Sequence, residues 1–102
     1  MVQAVDNLTR ISGRLVSREA HPHRPGWDGV VVHVDDAVPV EGKADLLSRY
    51  TGEDLAVAFR RELLAGALPG ARLIFRARLT LDGALAEAHP DEGDLVITPP
   101  TR

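Results

Sequence analysis

Residues 72–89 read RLIFRARLTLDGALAEAH, and this stretch decides the fold. Leu73, Phe75, Ala77, Leu79 and Leu81 are apolar at every second position, with Arg72, Arg76, Arg78 and Thr80 between them and Ile74 as the one break. A period of two is that of an extended chain with one face buried. Asp82-Gly83 follows, a dipeptide that tolerates positive φ, and then a second run from Ala84 to His89. The pattern predicts a β-hairpin of 71–81 against 84–89 and gathers three arginines on the strand face opposite the core.

Toward the N-terminus, 8–19 repeats the alternation. Ile11, Gly13 and Leu15 share one face; Arg10, Ser12, Arg14 and Arg18 share the other. A glycine inside such a run marks a bulge or bend. In 29–40, Val30, Val32 and Val34 oppose Val31, His33 and Asp35, and β-branched side chains favour a pleated, half-buried strand. Pro39 marks an edge or the strand's end. Between these two strands, 20–28 (AHPHRPGWD) is predicted as an irregular loop. Ala44, Leu47 and Tyr50 stand at helical spacing before Gly52, which predicts a short helix over 43–50. The segment 54–63 fits two periods. Leu55, Val57 and Phe59 alternate, whereas Leu55, Phe59 and Leu63 lie four apart; the strand is preferred because Val57 and Phe59 fall on the apolar face. A helical turn over 62–67, stopped by Pro69-Gly70, and a last strand over 94–98 complete the reading.

These elements predict one mainly β domain over 1–102, with 1–7 and 99–102 as loose ends. The architecture is a small antiparallel barrel of five or six strands with one or two short helices, closed because closure removes exposed strand edges. The order of elements resembles the OB-fold, a five-stranded barrel with a helix between its third and fourth strands. The features that carry the resemblance are a long first strand bent at Gly13, the loop 20–28, a valine-rich second strand, the turn at 62–68 and the closing hairpin. It spans about residues 8–98 and is architectural, without a family motif. The helix over 43–50 and the sixth strand depart from it. The resemblance implies a ligand lying across one barrel face beside the first loop.

Bulk properties narrow the function classes. A net charge of −3 counts against non-specific nucleic-acid binding, which draws on clustered positive charge. The cations are eleven arginines and a single lysine, beside thirteen alanines, the composition of a GC-rich bacterial coding sequence. Cysteine is absent, which rules out disulfides and thiolate chemistry and fits a reducing cytoplasm. No run approaches the ~20 apolar residues of a membrane span, and MVQAVDNLTR lacks the basic start and apolar run of a secretory signal.

Three constellations compete as sites. His21, His23, Arg24 and Trp27 share the first loop, where an aromatic beside a cation can stack on a base and hold a phosphate; the plainer reading has Trp27 folded back as a cap on the barrel. Arg14, Arg72, Arg76 and Arg78, with Arg10 and Arg18, form a stripe that can track a phosphate backbone if the first strand and the hairpin are neighbours. The plainer reading is a solvated wall with Glu87, Asp35 and Asp36 as cross-strand partners. His21-Pro-His23 points two imidazoles the same way, which can seed a metal site, with His33, His89 and several aspartates as further donors. No catalytic motif is present: no GxSxG, P-loop or GxGxxG, and no cofactor is expected. The favoured expectation is a non-enzymatic barrel that binds another protein. A single-stranded nucleic-acid binder using 20–28 and the arginine face is the alternative, and a small-ligand or metal-assisted enzyme with a barrel-mouth pocket is the third.

Overall fold

A computed structural model describes residues 6–100 of the chain. Each alternating run is a strand with its apolar face turned inward: β1 (Thr9–Ala20), β2 (Trp27–Pro39), β3 (Asp54–Arg60), β4 (Arg72–Thr80), β5 (Gly83–Ala86) and β6 (Val96–Thr98). The pairing runs β1-β2-β3-β5-β4 and returns from β4 to β1, so five strands close into a barrel, and β6 extends the sheet from β4. This is an OB-like architecture with an added strand. One turn of helix, α1 (Arg61–Leu64), sits between β3 and β4, where the turn over 62–67 is expected, and places Leu64 in the core. The sheet is mixed rather than purely antiparallel. β5 returns from its hairpin alongside β3 and pairs with it in parallel, Val57 with Ala84 and Ala58 with Leu85.

The period-two faces account for the interior. Ile11, Leu15, Val30, Val32, Val34, Val57, Phe59, Leu73, Phe75 and Ala77 are all buried. Phe59 and Phe75 meet edge to face at 5.1 Å, the favoured geometry for two aromatic quadrupoles. The register of β1 on β2 slips at Ser12/Gly13 and again at Leu15/Ser17, and these bulges let long strands wrap the barrel. Gly13 is required at the first slip: a Cβ there would lie 2.3 Å from the His33 carbonyl oxygen.

Four expectations are corrected. The segment 43–50 is not a helix, and only Ser48–Tyr50 coils, as a single 3-10 turn. Its backbone is spent elsewhere: Ala44 bridges Asn7, and its carbonyl accepts from the Leu8 amide at 3.0 Å. The Asp45 carboxylate accepts from the Thr9 hydroxyl (2.7 Å) and from the Leu47 and Ser48 amides (3.2 and 3.0 Å). Burial works to raise the Asp45 pKa, but these hydrogen bonds outweigh it and leave the carboxyl below its ordinary value. Leu47 still reaches the core. Second, the loop ends earlier than 28, since Trp27 and Asp28 already belong to β2. Third, Leu81 and Asp82 form the hairpin tip, with Gly83 at φ 113° opening β5, so Leu81 leaves the apolar face and is 95% exposed. Fourth, Asn7 is buried rather than loose and exchanges two hydrogen bonds with the Leu79 backbone, at 3.1 and 2.7 Å. Residues 1–5 and 101–102 of the expected loose ends lie outside the described residues.

Candidate binding face

The outward residues of β2, β3, β5 and β4 form a face whose rows follow from the register. One row runs Gly29, Ala58, Leu85, Arg78, each directly beside the next on the neighbouring strand. Trp27 pairs with Arg60 in the row on one side, and Val31 with Ala56 on the other. Glycine and two alanines in the middle make a low apolar floor, with Trp27 and the arginines standing above it. A groove of about 790 Å³ opens beside this face, lined among others by Arg24, Trp27, Arg76, Arg78, Leu85 and His89.

Trp27 is half-buried, and its backbone is fixed by its neighbours. Its amide donates to the Arg24 carbonyl at 3.1 Å, closing a turn through Gly26 (φ 80°), and its carbonyl accepts from the His21 amide at 2.9 Å. The next residue, Asp28, points inward and is buried. There it binds Arg18 Nε at 2.7 Å and Arg61 Nε at 2.8 Å. Burial alone would raise the Asp28 pKa; the hydrogen bonds and charges of Arg61 and Arg18 overcome it and hold the carboxyl below its ordinary value. Arg18 also donates to the Ala65 and Ala67 carbonyls, both at 2.9 Å. The start of β2, β1 and α1 are therefore tied at one buried carboxylate, and Trp27 sits on a rigid base with the Arg24 guanidinium 5.0 Å from its ring centre.

The arginine strands are neighbours: Arg10 faces Arg76 and Arg14 faces Arg72 across the β1–β4 ladder. Like charges so placed repel, and carboxylates are interleaved among them. Arg76 forms a two-bond fork with Glu87 (2.7 and 2.6 Å). Asp94 reaches both Arg76 (3.4 Å) and Arg10 (3.7 Å). Asp35 lies 3.2 Å from Arg72. The Glu87 hydrogen bonds raise the Arg76 pKa against the effect of burial, with the charges of Glu87, Asp94 and Asp91 adding to them. Of the stripe, Arg14 and Arg78 have no carboxylate partner among the described residues.

The sequence candidates thus divide. Arg24, Trp27, Arg76 and Arg78 line one groove. Arg14 and Arg72 lie toward β2, near His33. His21 and His23 meet at 6.4 Å, with the His21 Nδ1 accepting from the His23 amide at 3.1 Å. Among the described residues, no three histidine, aspartate or glutamate side chains gather as a metal ion requires. Sequence reasoning missed Arg61, Leu85 and the Gly29-Ala58 floor, and it took Asp28 for a loop donor where the structure has a buried ion-pair anchor. Asp28 was within reach, because period two places it on the same face as Val30, Val32 and Val34.

No family description, curated protein or solved structure shows a significant match to this chain, so its function rests on the geometry.

Proposed function

We propose that the chain is a non-enzymatic barrel module that binds a protein partner across the Trp27 face. The observation that carries this reading is the in-register floor of Gly29, Ala58 and Leu85 walled by Trp27 and arginines. Aromatic and arginine side chains around a small apolar centre are the composition of energetic anchors at protein interfaces. The held turn at 24–27 adds preorganisation, which lowers the entropy cost of docking. The polar groups of the groove are largely tied to one another, Arg76 to Glu87 and Lys43 to Asp6. The absence of cysteine agrees with a reducing compartment, and we place the protein in a bacterial cytoplasm. No helix is long and apolar enough to cross a membrane.

One observation favours the single-stranded nucleic-acid reading: Arg24 stacked on Trp27, a pair able to hold a base and a phosphate. The carboxylates within the arginine stripe weigh against it, since a phosphate backbone would compete with Glu87, Asp94 and Asp35 for the same guanidinium groups.

Selection of random displayed 12-residue peptides on the immobilised protein, with the Trp27→Ala variant as control, tests the proposal. The expected result is a peptide set retained by the wild type and lost by the variant. No such set, or micromolar binding of an oligo-dT 12-mer with no peptide retained, overturns it.

A further inference from the structure

The charges along the groove do not all cancel. Four of its cations are Arg24, Lys43, Arg76 and Arg78. Lys43 is neutralised by Asp6 at 2.7 Å and Arg76 by the Glu87 fork. Arg78 is exposed and, like Arg24, has no carboxylate partner among the described residues. An arginine lying over an indole spends its flat face on the ring and keeps its N–H edge for a bidentate acceptor. Among the described residues, the acid of this groove without an ion pair is Glu41. It follows the end of β2, whereas Trp27 begins that strand. The part of the groove around Trp27, Leu85 and Arg78 is therefore positive over an apolar floor.

We infer, resting on the protein-binding reading above, that the partner is an acidic segment laid in extended form across the strands. One carboxylate meets Arg78, a second meets Arg24, and an apolar or aromatic side chain between them packs on the floor formed by Leu85, Ala58 and Gly29. The register sets the spacing. Arg78 and Gly29 are separated by three strand-to-strand steps, about 14 Å at the usual ~4.8 Å per step. An extended chain covers that distance in about four residues at ~3.3 Å each. That distance is the width of the floor; Arg24 lies over Trp27 on β2, at the side of the floor away from Arg78, so the matching motif has two acidic residues at least four positions apart with a bulky apolar residue between them. Glu41 at the other end of β2 disfavours further acid there.

The peptides retained through Trp27 in the display selection provide the test. The expected result is an excess of Asp and Glu at that spacing. Synthetic members of the set then bind at least tenfold more tightly than versions with Gln in place of the acids, read through the fluorescence of Trp27, the chain's single tryptophan. Arg78→Gln is expected to shrink that preference to about threefold, the part that the Arg24 contact retains. Because Arg78 is exposed, this variant keeps the wild-type melting curve. Peptides that depend on Trp27 but carry no acidic excess, or a preference undiminished by Arg78→Gln, overturn this inference and leave the binding face standing. A selection with no Trp27-dependent peptides overturns the binding face itself, and tighter binding of oligo-dT than of the acidic peptides assigns the groove to nucleic acid.

Discussion

Asp28 shows at the scale of one residue how the barrel holds its candidate site. Its carboxylate is buried between Arg18 and Arg61, and the Arg61 side chain is 51% exposed. Removing one partner of a buried ion pair leaves uncompensated charge at a cost of about 3–5 kcal/mol, and the exposure of Arg61 points to the low end. Asp28→Asn is therefore expected to lower the denaturation free energy by about 3 kcal/mol at neutral pH. The folded protein holds this carboxyl below its ordinary value of 3.8. The ionised group's contribution is thus complete above that value and is lost as pH falls through the depressed one. The gap between wild type and Asp28→Asn should narrow on acidification, measured by urea titrations at successive pH values, and a constant gap refutes the assignment. Ala65, in the segment that Arg18 clamps, has φ 48° and ψ −124°, a conformation costly for any residue with a Cβ. Ala65→Gly is expected to raise the denaturation midpoint, with a gain of about 1 kcal/mol at an unchanged m value. Gly13 responds in the opposite way. A methyl group there would lie 2.3 Å from the His33 carbonyl oxygen and 2.8 Å from Val32 Cγ1, so Gly13→Ala should cost at least the ~1–3 kcal/mol of overpacking and disturb the β1–β2 register.

Among elements, β1 is fastened at its start by a side chain and along its length by ladders. Asn7 mimics a strand residue, its amide group pairing with both backbone groups of Leu79. Asn7→Ala leaves that amide and carbonyl without these partners, at a cost of about 1–3 kcal/mol. The expected signature is local: the Leu79 amide should exchange with solvent far faster, while the Val57 amide in β3 remains protected. Uniform loss of protection would instead mean that Asn7 supports the whole barrel. The elements legible in the sequence are those whose face is set by period two. The strands and the bend at Gly13 follow from the side chains alone, because a one-residue slip would turn every buried residue outward. The segment 43–50 was misleading because Ala44, Leu47 and Tyr50 satisfy helical spacing while Asp45 and the Ala44 carbonyl are claimed by residues 7–9, a long-range competition invisible to local periodicity. The parallel β3–β5 pairing was hidden for the same reason, since it depends on how the hairpin docks. Arg24 and Trp27 stand out by composition, whereas the Gly29-Ala58-Leu85 floor emerges only after three strands are set in register.

At the scale of the whole molecule, the arginine content and the net charge of −3 are reconciled by where the acids lie. Closing β4 on β1 sets arginine opposite arginine. The barrel tolerates this because Glu87, Asp94 and Asp35 insert between the guanidinium groups. The wall is thus close to charge-balanced, which predicts a low attraction for polyanions set by those acids and not by any lack of cations. Glu87→Gln together with Asp94→Asn keeps side-chain shape and one acceptor oxygen on each side chain while moving the net charge from −3 to −1, each substitution removing one negative charge. Arg10 and Arg76 then join Arg78 and Arg14 as cations without carboxylates, all on the outer face of β1 and β4. Oligo-dT binding at low salt is expected to strengthen at least tenfold over wild type. Its log–log salt slope should steepen by about 0.7 for each phosphate newly contacted. The acidic peptides of the groove should bind more tightly as well, because Glu87→Gln frees Arg76, which lines the same groove as Arg78. If the double variant binds oligonucleotide no better than wild type, the interleaved carboxylates are not what keeps this wall from nucleic acid, and the argument favouring a protein partner over a single strand loses its main support.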